Sequence, residues 1–81
     1  MNEADEMQVY PNPATESVIL QLSSFASGDR LQISDINGRI MKELSPVSST
    51  TSIQLNELNK GYYIFTLYQK SRVYRKSILK L

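Results

Sequence analysis

Apolar and polar residues alternate with a period of two along most of the chain. The alternation is clear in "SVILQL" (17–22), in "RLQIS" (30–34) and in "TSIQL" (51–55). Successive side chains of a β-strand point to opposite faces, so each run predicts a strand with one buried face. No window keeps the 3.6-residue period of an amphipathic helix. The pattern therefore predicts strands rather than helices.

Turn signals separate these runs. The dipeptide Asn37-Gly38 lies between residues 31–36 and 39–44 and favours the two positive-φ positions of a type I′ turn, which predicts an antiparallel hairpin. Further on, "NELNKG" (56–61) predicts a single helical or 3₁₀ turn closed by Gly61. We expect this turn to tuck Leu58 beneath the fold.

Two long β-prone runs close the sequence. "YYIFTLYQ" (62–69) has the highest β-propensity and predicts a central strand. In "VYRKSILKL" (73–81) the apolar phase slips before Ile78, which predicts a bulge near Arg75-Lys76. In total, about seven short strands separated by turn signals predict an all-β fold, an immunoglobulin-like sandwich of two antiparallel sheets.

Composition narrows the function classes. The 81 residues are enough for one domain, and 41% of them are apolar, as in a globular protein. Cysteine and histidine are both absent, which removes thiol nucleophiles, the usual imidazole base and the common zinc ligands. Without histidine the serines lack their usual activating base, and the acidic residues are scattered over turns and the N-terminal segment. We therefore expect no enzyme activity, no metal and no cofactor.

Charge is distributed unevenly along the chain. The acidic residues of the first part, Glu3, Asp5, Glu6 and Glu16, have no basic neighbour, whereas residues 60–81 contain basic residues and no acidic ones. Such a basic region favours either an anionic partner or the protection of an edge strand by lysine and arginine, of which we favour the second. No aromatic and basic RNA-binding motif accompanies it, so nucleic acid is not an expected partner.

Four segments occur in an order and spacing that resembles a known family. They are "VYPNPATESVILQL" (9–22), "LQISDINGRIM" (31–41), "IQLNELNKGYYIFTL" (53–67) and "YRKSILKL" (74–81). Together they resemble the type A C-terminal sorting domain of proteins exported by the type IX secretion system of Bacteroidetes. The residues that carry the motif are Tyr10, Pro11, Asn12, Pro13, Asp35, Gly38, Arg39, Leu58, Gly61 and Tyr63.

The resemblance implies a signal at the end of a larger exported protein. Residues 1–7 would be the linker from an upstream cargo domain and residues 8–81 the sorting domain. The implied partners are the secretion machinery and a sortase-like surface peptidase that cleaves ahead of residues 10–13. The cargo would pass through the periplasm and across the outer membrane, to be secreted or held at the cell surface.

The terminal strand is the part of such domains most tied to recognition by the machinery. In this chain it contains Lys76, Ser77, Ile78, Leu79, Lys80 and Leu81. We expect an exposed strand edge there that could add to a partner's sheet through main-chain hydrogen bonds. We also expect deletion of the last five residues to leave the cargo in the periplasm while most of the sandwich survives.

One alternative remains open from the residues alone. A fibronectin- or immunoglobulin-like accessory module could bind carbohydrate through a platform of Tyr62, Tyr68 and Tyr74. Exposed edge strands in a domain of this kind also allow a dimer.

Overall fold

Seven strands form the fold in a computed structural model that describes residues 6–46 and 48–81. Residues 1–5 of the predicted linker lie outside the described part. The strands are β1 (Met7–Tyr10), β2 (Ser17–Leu22), β3 (Arg30–Asp35), β4 (Ile40–Leu44), β5 (Thr50–Gln54), β6 (Gly61–Tyr68) and β7 (Val73–Lys80). All of the strand pairings are antiparallel, so the predicted all-β class is confirmed.

The strands form two sheets packed as a sandwich. One sheet has the order β1-β2-β5 and the other the order β4-β3-β6-β7. The chain changes sheet between β2 and β3, between β4 and β5 and between β5 and β6, whereas β1–β2, β3–β4 and β6–β7 pair within one sheet. Two antiparallel sheets connected in this way form a sandwich of the immunoglobulin class. Strand β6 has neighbours on both sides, which confirms that it is central, whereas β7 lies at an edge.

The core lies between the two sheets and is built from alternating positions of the strands. Leu20, Leu31, Ile33, Phe65 and Leu67 are fully buried. Burial of one such side chain contributes about 1.5 to 3 kcal/mol to folding. Met7 is also buried, although the expected domain began one residue later, so the folded unit includes it.

The hairpin between β3 and β4 forms, but the predicted type I′ turn is wrong. Gly38 has a φ of +87°, and no residue other than glycine has a positive φ in the described part of the chain. The Gly38 N–H donates to the Asp35 carbonyl at 3.0 Å, and the Asp35 N–H donates to the Arg39 carbonyl at 2.9 Å. This is the pattern of a three-residue loop closed by a left-handed glycine. The Asp35 carboxylate favours it by accepting the N–H groups of Asn37 and Arg39, both at 2.9 Å.

The predicted bulge near Arg75-Lys76 is also wrong. Strands β6 and β7 pair without a register shift from Gly61–Lys80 to Tyr68–Val73. The period of two is unbroken because Lys76 occupies an inward position between Tyr74 and Ile78, where it is half-buried. A lysine can take such a position by burying its aliphatic stem while its ammonium group reaches water.

The segment between β5 and β6 is a single hydrogen-bonded turn, and its bond between residues three apart fits the 3₁₀ alternative of the prediction rather than an α-helical turn. The Leu58 N–H donates to the Leu55 carbonyl at 3.0 Å, and Leu58 is buried as predicted. The Tyr63 hydroxyl, on β6, donates to the Asn59 carbonyl at 2.7 Å. A tyrosine near the start of this strand whose hydroxyl bonds to the backbone just upstream is the tyrosine corner of immunoglobulin-like sandwiches. Tyr63 therefore fixes the turn against the sheet.

Candidate recognition surface at the terminal strand

Strand β7 has one edge bonded to β6 and one edge facing away from it. Its even-numbered residues from Tyr74 to Lys80 bond to β6, and its odd-numbered residues direct their backbone N–H and C=O groups outward. An open edge of this kind is a template for pairing with another strand. The predicted strand addition therefore requires that the outward N–H and C=O groups of β7 are free to pair with a strand of a partner.

The proline segment, residues 10–14, carries the chain from the first sheet to this edge. Tyr10 still pairs with Ile19 in the first sheet, whereas Ala14 bridges Lys80 in parallel in the second. The Ala14 N–H donates to the Leu79 carbonyl at 2.7 Å, and the Leu81 N–H donates to the Ala14 carbonyl at 2.8 Å. Pro11 and Pro13 follow cis peptide bonds and have no N–H, so neither leaves an unsatisfied donor where the chain leaves one ladder for the other.

Asn12 continues the hydrogen bonding that Ala14 makes to the outward edge of β7. The Leu79 N–H donates to the Asn12 Oδ1 at 3.0 Å, and the Asn12 Nδ2 donates to the Ser77 carbonyl at 3.3 Å. A side-chain amide has the same donor and acceptor as a peptide group, so Asn12 takes the place of a strand residue. The outward groups from the Ser77 carbonyl to the Leu81 N–H are therefore occupied, and the expected open edge at 77–81 is wrong.

The terminal residues expected to recognise a partner have different environments. Ile78 is buried in the core, and Lys76, Leu79 and Lys80 are half-buried, whereas Ser77 and Leu81 are exposed. Because side chains alternate along a strand, Ser77 and Leu79 project from the outer face of the second sheet, while Lys76, Ile78 and Lys80 point the other way. Deletion of the segment would remove a core side chain, contrary to the expectation that the sandwich mostly survives it.

An apolar strip crosses the outer face beside these residues. The strand registers place Ile40 opposite Ser34, Ser34 opposite Ile64 and Ile64 opposite Ser77. The exposed fraction of Ile40 is 54%. Sequence reasoning missed this strip. Ile64 stands out of phase with the buried positions of β6, but Ile40 is in phase with Lys42 and Leu44 and reaches the outer face only through the register shift between Ile33 and Ser34.

Tyrosines occupy both faces of the second sheet. Tyr62 lies opposite Leu79 on the outer face and is 58% exposed, and Tyr68 lies on the same face near the other end of β6. Tyr74 points into the core and is only 8% exposed. The platform of three tyrosines expected for carbohydrate binding is therefore wrong.

Cations surround the strip while the nearby carboxylates are engaged. Arg75 lies on the outer face two residues before Ser77, and Arg39 precedes Ile40; no ion pair of either forms within 6–46 and 48–81. Glu43 accepts bonds from Gln32 and Arg30, and Arg30 also lies 5.2 Å from the centre of the Tyr68 ring. The outer face therefore has positive charge to offer a partner.

A second ion pair joins β4 to the turn before β6. The Lys42 ammonium contacts the Glu57 carboxylate and also donates to the Gln54 carbonyl at 2.9 Å. The hydrogen bond from Lys42 lowers the pKa of Glu57 below its ordinary value of 4.5, with a further lowering by a hydrogen bond from the backbone of Glu57 itself. The Glu57 side chain is 55% exposed and the Lys42 side chain 30%, so water screens the pair, which orients the turn more than it stabilises the fold.

The motif residues gather at one end of the sandwich. Asp35 lies opposite Tyr63, Gly61 lies opposite Lys80, and Ala14 bridges Lys80. The proline segment, the β3–β4 hairpin, the tyrosine corner and the end of β7 are thus one structural unit. These motif residues stabilise the structure at this end of the sandwich. The Asp35 carboxylate and Gly38 fix the β3–β4 hairpin. Leu58 and Tyr63 anchor the turn between β5 and β6.

Groups of three or more acidic, histidine or cysteine side chains that could hold a metal ion do not occur among residues 6–46 and 48–81. The same part of the chain contains no helix that is both long enough and apolar enough to cross a bilayer.

One comparison with known proteins identifies a family. The family model described as "Secretion system C-terminal sorting domain" matches residues 8–80. A search of curated proteins gave no match. Among solved structures, PorZ of Porphyromonas gingivalis, described as an essential bacterial surface component of the type-IX secretion system, superposes with a TM-score of 0.80 at 21% identity.

The likeness to PorZ is one of fold. It covers 98% of this chain but only 12% of PorZ, so this chain corresponds to a small part of that protein. The family match extends over nearly the whole described sandwich, including the proline segment and all of β7. The chain therefore belongs to the secretion-system C-terminal sorting domain family, and it is a C-terminal signal for type IX secretion.

Proposed function

We propose that this domain carries an upstream cargo to the cell surface or the medium, and that the machinery reads the end of the sandwich that contains residues 76–81. The observation that carries the proposal is the convergence of the family's motif residues at that end. The Glu6 carbonyl accepts the Ser23 N–H, and the neighbouring Ser24 carbonyl accepts from Gln69, just after the end of β6 that is remote from Lys80. Residue 6 therefore lies at the opposite end from Leu81. A cargo that precedes residue 6 would leave the motif end accessible.

A sortase-like surface peptidase is the proposed second partner. Its cut would fall ahead of residues 10–13, in or before residues 2–8. Met7 and Gln8 are paired with Leu22 and Gln21 in the first sheet, and a peptidase acts on extended, accessible backbone. The structure of β1 thus favours a cut before Met7. N-terminal sequencing of the domain released from exported cargo should find its first residue between 2 and 7, and a first residue after Met7 would contradict this position.

A fluorescent reporter tests the recognition of the terminal strand. The reporter carries a periplasmic export signal and the 81-residue chain at its C-terminus, in a host with an active type IX system. The double variant Lys80→Glu, Leu81→Glu should retain the reporter in the periplasm. The matched variant Lys70→Glu, Val73→Glu, at the other end of β7, should be exported normally. Equal export of the two variants would contradict the proposal.

A further inference from the structure

We infer that the outer face of the second sheet, at its motif end, is a docking surface for an acidic protein partner. We call this surface the Tyr62 face and define it by Tyr62, Ile64, Leu79, Ile40 and the adjacent Arg75. It deepens the proposed function and rests on it, because the partner is the component of the secretion machinery that reads the terminal strand. It replaces strand addition with side-chain recognition.

The outward backbone edge of β7 at residues 77–81 is already hydrogen-bonded within this chain. A strand can be recognised through its backbone edge or through the side chains on its face. The Ser77 carbonyl and the Leu79 N–H are bonded to Asn12, and the Leu79 carbonyl and the Leu81 N–H are bonded to Ala14. A partner that read the 77–81 edge would first have to displace these bonds. A partner that bound the outer face would leave these hydrogen bonds in place.

Side chains of β6 and β7 line the outer face at the motif end. In the terminal segment Ser77 and Leu79 project outward, and the register puts Tyr62 directly beside Leu79 and Ile64 beside Ser77. Directly opposed side chains lie about 5 Å apart, so these residues make one continuous surface. Tyr62 and Ile40 are exposed, and Ile64 and Leu79 are half-buried, so part of each side chain is accessible to a partner. Tyrosine and arginine, here Tyr62 and Arg75, are enriched at the centres of protein interfaces, and apolar neighbours such as Leu79 exclude water around them.

Charge selects the partner. Arg75 projects from the same face, and Arg39 and Lys60 border it in sequence; none of them makes an ion pair within residues 6–46 and 48–81. The nearest carboxylates on the sheet, those of Asp35 and Glu43, are already bonded to groups of this chain. An apolar centre with a cationic rim is complementary to a protein surface that has an apolar patch and carboxylates around it.

A second copy of this chain fits the face poorly. Two such faces packed about a twofold axis would bring the cationic rims together, which costs free energy in an interface. A carbohydrate would use the tyrosine ring but would leave the cations unpaired. The acidic protein partner is the occupant that uses both features.

Secretion of the fluorescent reporter described above tests the Tyr62 face. Tyr62→Ser and Leu79→Ser should each lower the exported fraction about tenfold or more, as expected for central interface residues. Val73→Ser is the matched control, because Val73 lies on the same strand and the same face, is 46% exposed, and is outside the patch. Tyr62→Phe keeps the ring and should restore export. Thermal unfolding of each purified variant checks that the fold is kept.

Charge reversal tests the acidic partner. Arg75→Glu should lower export, whereas Lys70→Glu, in the loop before β7, should not. If the Arg75→Glu variant is exported normally while the Tyr62→Ser variant is retained in the periplasm, the inference that the partner is acidic is overturned. A Tyr62→Ser variant that changes the oligomeric state but is exported normally would assign the face to self-association and overturn the inference.

The outcomes separate this inference from the proposed function. If Lys80→Glu, Leu81→Glu is retained in the periplasm while folded Tyr62→Ser and Leu79→Ser are exported normally, the Tyr62 face is overturned and recognition of the terminal strand stands. If all of these variants are exported normally, the proposed recognition fails as well. If Val73→Ser is retained as strongly as Leu79→Ser, recognition is not confined to the patch and the inference is overturned.

Discussion

Asn12 and Leu79, 67 positions apart in the chain, are joined by a hydrogen bond in which the Leu79 N–H donates to the Asn12 Oδ1 at 3.0 Å. The bond places a side-chain amide where a neighbouring strand would otherwise pair. It explains why an asparagine lies between two prolines: the prolines carry the chain across without N–H groups, and the asparagine supplies the groups that the edge of β7 requires.

Replacement of Asn12 should therefore destabilise the domain. Asn12→Ala removes both bonds to β7 and should lower the free energy of unfolding by about 1 to 2 kcal/mol, since each net hydrogen bond contributes about 0.5 to 1.5 kcal/mol. Asn12→Asp keeps the acceptor for the Leu79 N–H but loses the donor to the Ser77 carbonyl. Urea unfolding should rank the wild type first and the two variants below it. Identical midpoints for Asn12→Ala and wild type would contradict the role of Asn12.

The hydroxyl of Tyr63 should contribute measurably to stability. Tyr63→Phe removes the bond to the Asn59 carbonyl from a part-buried site, at an expected cost of about 1 to 2 kcal/mol. Tyr62→Phe is the matched control, because Tyr62 lies one residue earlier and is exposed. The control should unfold like the wild type. Equal stability of the two variants would show that the tyrosine corner is dispensable.

Gly38 is required by its backbone conformation and not by lack of space. No atom lies within 4 Å of where its Cβ would be, but its φ of +87° is unfavourable for other residues. Gly38→Ala should cost about 1 kcal/mol. Gly38→Asn should cost less, because asparagine tolerates positive φ better. Urea unfolding of the two variants checks the order, and an alanine variant as stable as the wild type would contradict it.

The pair of Lys42 and Glu57 should make stability depend on pH in the acid range. The pKa of Glu57 is lower in the folded state than its ordinary 4.5, so its contribution is present above about pH 4.5 and is lost as the pH falls through the folded-state pKa. Thermal unfolding midpoints of wild type and Glu57→Gln, measured from about pH 7 to about pH 3, should converge at the acid end. Curves that stay parallel throughout would contradict the ion pair.

The alternation of apolar and polar residues predicted the structure of the strands. The sequence predicted less where contacts between residues far apart in the chain determine the structure. The period of two predicted the strands, the high β-propensity of residues 62–69 predicted the central position of β6, and the turn signal in residues 56–61 predicted the burial of Leu58. The turn at Gly38 was assigned wrongly because Asp35, outside the dipeptide, selects the loop through its carboxylate. The bulge was assigned wrongly because a lysine at position 76 looks polar in sequence, although its stem fits an inward position.

The candidate surface was only partly predictable. The motif residues could be read from the sequence, but their convergence at one end follows from strand order, which the sequence does not state. The bonds from Asn12 to Ser77 and Leu79 span 65 and 67 positions and have no local signal. The same holds for Ile40 and Ile64, which become neighbours of the terminal strand only through β3 and β6.

This folded chain should be sufficient to send a cargo out of the cell through the type IX system. The most direct measurement is the extracellular fraction of the fluorescent reporter, with and without the 81-residue chain, in a type IX-competent host and in the same host lacking that system. We predict extracellular reporter only when both the chain and the system are present. Reporter that stays in the periplasm with both present, or that leaves the cell equally well without either, would contradict the account.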